Sequence, residues 1–386
     1  MRKNKKRCCC INHMFIKKPN NINKKVCILT SVHPPFDIRI FHKESRSLVK
    51  AGYDVSLIAQ HDKEEMVDGI LISPLPKPRN RFERMTRTVW LVYQKALKID
   101  ADIYHFHDPE LMSIGLMLKR RGKQVIYDIH EDVPRQNLSK SYIPAVFRRP
   151  ISLMIGALEA FSARRFDGVV TATPFINRRF LELGANAVNV NNYPLAAELY
   201  TAEKQWEKKE KAACYIGGIA GIRGAFEMVE AIGKTEYRLI LAGDFEPGLE
   251  DQLKRLLGWR QVDALGFVDR EGVRATMACS MAGIVLFHPE PNHIDAQPNK
   301  MFEYMSAGIP VIASNFPLWE EILEEAECGI CVDPLNPEEI AEAIQFIVAH
   351  PSEAEQMGRN GRRAVEERYN WGREEEKLLQ LYSELI

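Results

Sequence analysis

The chain has 386 residues, 46% hydrophobic and 27% charged, a globular composition too long for one ordinary core and suited to two domains. Lys plus Arg and Asp plus Glu each total 52, so no global field draws the protein to nucleic acid. Eight cysteines over this length exclude a disulfide scaffold, and no run of about 18 apolar residues offers a transmembrane helix.

Residues 1–24 read as a basic, disordered leader: the first 25 residues carry nine Lys or Arg and no acid. The run Cys8–Ile16 is too short and too broken for a secretory apolar core, and the sharper alternative is a basic or acylated membrane tether. From residue 25 onward, strand and helix patterns alternate in two rounds, which predicts two Rossmann-like α/β domains built on parallel sheets. The first, 25–195, opens on the strand Val26–Thr30, followed by a helix through Ser45, Leu48 and Val49 that stops at Gly52. Further strands are expected at Asp54–Ala59, Ile103–Phe106, Val125–Tyr127 and Gly168–Thr171. A charge-rich stretch, 196–212, reads as the linker. The second domain, 213–370, places strands at Ala213–Ile216, Arg238–Leu241, Val262–Leu265, Gly283–Phe287, Val311–Ala313 and Gly329–Val332. Helices are expected at about 337–349, 353–368 and 373–385, the last lying in a separate terminal segment, 371–386. Cys328 and Cys331 have CxxC spacing but no second pair and no helix start, so they read as small buried hydrophobes.

Open parallel sheets bind ligands at the carboxyl ends of their strands. Gly217-Gly218-Ile219-Ala220-Gly221-Ile222-Arg223-Gly224 follows the first strand of the second domain. Its glycines let backbone approach a phosphate, and Arg223 adds charge. A second stretch runs from Asp295 to Ile312. Pro298 suits a helix start and Gly308 a helix end, so the free backbone N–H groups of the first turn, at about 298–300 with none on Pro298 itself, would face an anion beside the Lys300 ammonium. Glu303, about one turn in, can take vicinal hydroxyls such as those of a ribose, and Asp295 precedes the helix where a sugar beyond the phosphates would lie.

Two acids with seven residues between them, followed by Tyr304-Met305-Ser306-Ala307-Gly308-Ile309-Pro310-Val311-Ile312, resemble the signature of family 4 of the retaining glycosyltransferases, which have the GT-B fold. The glycine loop, the Leu265-Gly266-Phe267-Val268 turn and the Met357–Arg362 ending extend the likeness over about residues 25–386. The resemblance implies donor binding mainly in the second domain and acceptor binding mainly in the first. It also implies a final helix that returns to the first domain, and no metal or other cofactor. Glu303 resembles the family's ribose-binding acid, and Asp295 stands where the family has a longer Glu. Arg223 occupies the usual Lys position of a diphosphate-binding pair. Gly218 replaces the partner Arg, and Lys300 is the candidate to replace that cation. Gly217, Gly218, Val268, Asn299 and Glu303 thus form the expected donor site, with Val268 beside the base.

In the first domain, His130 within Tyr127-Asp128-Ile129-His130-Glu131-Asp132 resembles the histidine placed beside the reacting sugar. Asp37 and Arg39, after the first strand, are acceptor-side candidates or a structural ion pair. His105 and His107 can point to one side of a strand, but no third ligand of suitable spacing is evident, so no metal is expected. Asp100-Ala101-Asp102 has the letters of a metal-binding DxD but precedes its strand. The expected partners are a nucleotide-sugar donor, a saccharide or lipid-linked saccharide acceptor, and an anionic membrane surface. The last follows from residues 77–98, where seven cations against Glu83 alternate with Met85, Val89, Trp90, Leu91, Val92 and Tyr93, and from the stretch between Arg148 and Arg165. The alternatives are a sugar-nucleotide epimerase or hydrolase of the same architecture, and a non-catalytic binding subunit.

Overall fold

A computed structural model describes residues 24–139, 144–201 and 206–385. The leader up to residue 23 and linker residues 202–205 lie outside the described residues. The first domain holds eight strands: β1 (Lys25–Leu29), β2 (Asp54–Gln60), β3 (Glu65–Val67), β4 (Ile70–Leu75), β5 (Ile103–Phe106), β6 (Gln124–Ile129), β7 (Gly168–Thr171) and β8 (Ala187–Asn189). They pair in the order β3-β4-β2-β1-β5-β6-β7-β8. Every pairing is parallel except β3 with β4. The continuous apolar runs are buried on both faces, as parallel sheets covered by helices require. Strands β3, β4 and β8 were not expected: two have only three residues, and β4 contains Pro74, so their pairing is imposed by neighbouring strands rather than by local pattern.

The second domain has six strands, all parallel: β9 (Ala212–Ile216), β10 (Arg238–Ala242), β11 (Val262–Gly266), β12 (Ala282–Val285), β13 (Val311–Ser314) and β14 (Gly329–Val332). Their order is β11-β10-β9-β12-β13-β14. The chain reverses its direction of travel between β1 and β5 in one sheet and between β9 and β12 in the other. Such switch points open a crevice at the carboxyl ends of the strands.

Two packing features position the site. The helix Asn299–Ala307 lies directly on β12: a Cβ added at Gly283 would come within 2.2 Å of the Tyr304 ring, so only glycine admits that approach. The Tyr304 hydroxyl accepts the Ile216 N–H at 3.0 Å, tying the helix to β9 as well. The last helix, Trp371–Glu384, crosses to the first domain. Trp371, Leu378, Leu381 and Tyr382 join the core of Val26, Ile28 and Leu57 on one face of the first sheet. Trp371 Nε1 donates to Ser47 Oγ at 3.0 Å, and Glu374 accepts the Asn191 N–H at 2.8 Å.

Candidate active site

The loop after β9 and the start of the helix Asn299–Ala307 meet at Lys300. Gly217 has φ 117°, and a Cβ there would lie 3.3 Å from Lys300 Nζ. The ammonium is buried without a hydrogen-bond partner among the described residues, 3.7 Å from the centre of the Tyr215 ring. Burial, with the nearby Arg223 charge, pulls its pKa down to about 7 against the opposing pull of Glu303. Such a group is costly unless an anion completes it. Pro298 leaves the helix start without a side-chain cap, so its first backbone donors lack a partner from the helix. Arg223 donates to the Gly218 carbonyl at 3.1 Å and lies 5.8 Å from the Phe287 ring centre. Asn299 is exposed at the first helical position, and Val268 packs half-buried at the edge of the second core.

Both acids have cationic partners that the sequence did not indicate. Glu303 accepts from Arg270 Nη1 at 2.8 Å, and Arg270 also bonds Glu198 at 2.6 Å. Asp295 accepts from Arg135 Nη1 at 2.7 Å, a contact from the first domain to the second. The strand ends of the two sheets therefore face each other across this ion pair. Lys43 lies on the first-domain side, bonded to Asn192 Oδ1 at 2.6 Å. Burial lowers its pKa to about 7 although Glu303 counters the effect. The loop carrying Asp295 is anchored by Trp319 Nε1, which donates to the Ala296 carbonyl at 2.7 Å.

On the first-domain side the structure changes the reading of two residues. Asp37 caps the helical segment Ile38–Ser45, accepting the N–H groups of Arg39 and Ile40 at 2.9 and 3.0 Å. Arg39 does not face an acceptor. It is buried, bonded to Asp128 at 3.0–3.2 Å and to the Val190 carbonyl at 2.9 Å, with Nε 2.8 Å from Glu44 Oε1. Its fork thus serves as the structural ion pair rather than as an acceptor-side group. His130 is partly exposed at the end of β6, and burial of its ring, with Arg39 and His33 nearby, lowers its pKa to about 4 against the pull of Asp128.

His105 and His107 also have more company than sequence spacing revealed. Glu44 and Asp128 join them, and potential ligand atoms of the four residues lie within 4.8 Å of one another. These four buried side chains are of a kind and spacing that could hold a metal ion, which corrects the expectation that His105 and His107 have no further ligand. Asp128 approaches His107 at Nδ1 and Glu44 approaches it at Nε2, each at 3.6 Å, so the two carboxylates sit at different nitrogens of one ring. The Arg39 guanidinium already supplies positive charge to both.

Two parallel-sheet domains, with a glycine loop, Arg223 and Lys300 at the switch point of the second, have the architecture of GT-B glycosyltransferases. Residues 39–191 match the family model Glycosyltransferase Family 4, and residues 197–364 match Glycosyl transferases group 1. The chain belongs to the GT-B glycosyltransferases. Among curated proteins it is similar to D-rhamnosyltransferase WbpZ of Pseudomonas aeruginosa, 26% identical over 282 residues that make up 69% of each protein. The fold is similar to sucrose-phosphate synthase of Thermosynechococcus elongatus, with a TM-score of 0.76 and 20% identity over 94% of this chain and 99% of that one. It is also similar to Anabaena HepE in complex with UDP-glucose, with a TM-score of 0.71 and 15% identity over 94% of this chain and 100% of that one.

Proposed function

We propose that the protein transfers a hexose-type sugar from a nucleotide-sugar to a saccharide or lipid-linked saccharide, with retention at the anomeric carbon and without a metal, in cell-envelope polysaccharide synthesis. The observation that carries this reading is the buried, unpartnered Lys300 ammonium beside Gly217 and an uncapped helix start. The rhamnosyltransferase relative and the UDP-glucose complex of the HepE fold neighbour support a nucleotide-sugar donor.

In this reading the diphosphate lies against the Gly217-Gly218 backbone, Arg223 and Lys300, with Asn299 at the helix start. Glu303 holds the ribose, Val268 borders the base, and Asp295 reaches the donor sugar once Arg135 yields. As the bond to the sugar breaks, charge grows on the leaving diphosphate where Arg223, Lys300 and the helix start are already fixed. The acceptor hydroxyl attacks from the same face, its proton passes to the leaving phosphate, and His130 borders the reacting sugar. The test is turnover in EDTA with and without acceptor. Nucleoside diphosphate should appear only when acceptor is present, and at the same rate with chelator. Conversion of donor alone identifies an epimerase or hydrolase. Activity lost in EDTA and restored by manganese or magnesium removes metal independence.

Membrane attachment is the second part of the proposal. No helix among the described residues is long and apolar enough to cross a membrane. Two first-domain helical segments nevertheless turn apolar side chains outward: Phe82 and Met85 in one, Val146, Phe147, Leu153 and Met154 in the other, with Leu153 75% exposed. Arg81, Arg87, Arg148 and Arg149 lie among them. Apolar groups outside with cations interleaved suit an anionic lipid surface, at about 1 kcal/mol per nearby cation, and the acceptor side would then meet a lipid-linked saccharide on the inner leaflet. Binding to vesicles should rise with anionic lipid, fall with salt, and weaken when Arg81, Arg84 and Arg87 become Ser. No sedimentation with anionic vesicles at low salt refutes the attachment and leaves sugar transfer untouched.

A further inference from the structure

The core of the first domain holds a cluster of polar groups that donor binding does not use. The helical segment Ile38–Ser45 brings Glu44, the end of β5 brings His105 and His107, and β6 brings Asp128. All four side chains are fully buried. Glu44 Oε2, His105 Nε2 and His107 Nε2 have no hydrogen-bond partner among the described residues. Native cores leave few such atoms, and three in one place point to a ligand that satisfies them together.

The donor set fits a metal ion. Each imidazole is engaged at Nδ1, His105 with the Tyr382 hydroxyl at 2.9 Å and His107 with His130 Nε2 at 3.1 Å, which leaves both Nε2 atoms for a ligand. Metal-binding histidines are held in this way, with the second ring nitrogen fixed by an outer partner. His107 Nε2 and Glu44 Oε2 are 3.6 Å apart, and His105 Nε2 and Asp128 Oδ2 are 3.5 Å apart. Ligands at about 2.0–2.2 Å from one tetrahedral ion stand about 3.3–3.6 Å from each other. Potential ligand atoms of all four residues lie within 4.8 Å, so turning the Glu44 carboxylate and the two stacked imidazole rings closes the remaining gap. Arg39 stands on the outer side, bonded to Asp128 at 3.0–3.2 Å and 2.8 Å from Glu44 Oε1, which leaves Glu44 Oε2 free. Its single positive charge matches one of the two carboxylates. The second needs either a cation or a proton shared between Glu44 and Asp128.

We propose that Glu44, His105, His107 and Asp128 form a closed site for one divalent transition-metal ion, zinc first, in the core of the first domain. Two imidazoles and two carboxylates suit zinc, whereas magnesium and calcium take oxygen ligands. Four protein donors leave no open position, so the ion is structural rather than catalytic. It pins the segment Ile38–Ser45 to β5 and β6, with Tyr382 of the last helix and His130 of the cleft attached to its ligands. The ion lies in the opposite domain from Gly217, Arg223 and Lys300, so its presence is independent of how sugar transfer proceeds, and the transfer step needs no metal of its own.

The test is the metal content of the full-length protein, purified without a polyhistidine tag from zinc-supplemented medium and measured by plasma mass spectrometry. About one zinc per chain should survive a brief EDTA wash, and X-ray absorption should show two imidazoles and carboxylate oxygen at about 2.0–2.2 Å. Glu44→Gln and His105→Gln should each weaken zinc binding by more than the roughly 10–100-fold that loss of an outer partner costs. Nucleotide binding in the second domain, followed by calorimetry, should be unchanged in both, which shows that they are folded. Prolonged dialysis of the parent against a chelator should lower its Tm, and zinc but not magnesium should restore it. A folded parent with far less than one zinc per chain and a Tm indifferent to zinc overturns the proposal, and a proton shared between Glu44 and Asp128 then balances the cluster. Zinc retained in full by both variants places the ion elsewhere and overturns it too. If neither variant folds, the parent's X-ray absorption decides: a zinc shell without two imidazoles refutes the site.

Discussion

Lys300→Ala lowers kcat about 10²-fold, the scale for losing one preorganised donor to a growing negative charge. The same substitution changes how the protein exchanges protons. With the Lys300 pKa near 7, the folded state is short of a proton that the unfolded chain retains up to the ordinary lysine range, about 10.4. This side chain's contribution to stability therefore rises with pH between those values and is least favourable below about 7. A diphosphate placed beside it favours the charged form, so nucleotide binding at pH 8 takes up protons. Calorimetry in buffers of different ionisation enthalpy measures that uptake, and Lys300→Ala abolishes it. Gly218→Arg should restore about 10-fold of the lost turnover. Gly218 is absent from the residues with positive φ, and the atom closest to a Cβ there, at 3.1 Å, is Nη1 of the flexible Arg223 side chain. Full activity and unchanged proton uptake in Lys300→Ala would remove Lys300 from the diphosphate site.

Glu303→Ala weakens nucleotide binding by roughly 10–100-fold, about what loss of hydrogen bonds to a charged acceptor costs. The partner residues sharpen this expectation. Arg270 fixes the Glu303 carboxylate from one side and is itself held by Glu198, so the acid meets a ribose already oriented. Arg270→Ala should therefore reproduce part of the affinity loss while leaving kcat at saturating donor nearly unchanged. Equal nucleotide affinity in Glu303→Ala and the parent, by calorimetry, refutes the ribose assignment.

The elements that could be read in advance are those whose signals are local. Pro298 and Gly308 bracket the helix that spans Asn299–Ala307, and apolar runs mark β1 and β9. The glycine loop and Lys300 could be paired because both follow from where strands end. What stayed hidden depends on contacts distant in sequence. Arg135 meets Asp295 across 160 positions, and Arg39 meets Asp128 across 89. Nothing beside Arg39 in the chain says that its guanidinium turns inward; that follows from the crossover that stacks β1, β5 and β6 side by side. Glu44 escaped notice for the same reason, since helix packing brings it to His107. Asp37 carried a signal that was available: an acid directly before a helix start is a ready cap.

The crossing of the last helix also sets an order of events during synthesis. One face of the first sheet, with Val26, Ile28 and Leu57, is completed by Trp371, Leu378, Leu381 and Tyr382. These residues leave the ribosome after the whole second domain, roughly 10–40 s later at ordinary elongation rates. Through that interval the nascent first domain carries an uncovered apolar surface, a binding site for a chaperone and a hazard for aggregation. Chains stopped before residue 371 should stay in that state, so the first domain is held folded by a segment made after the second.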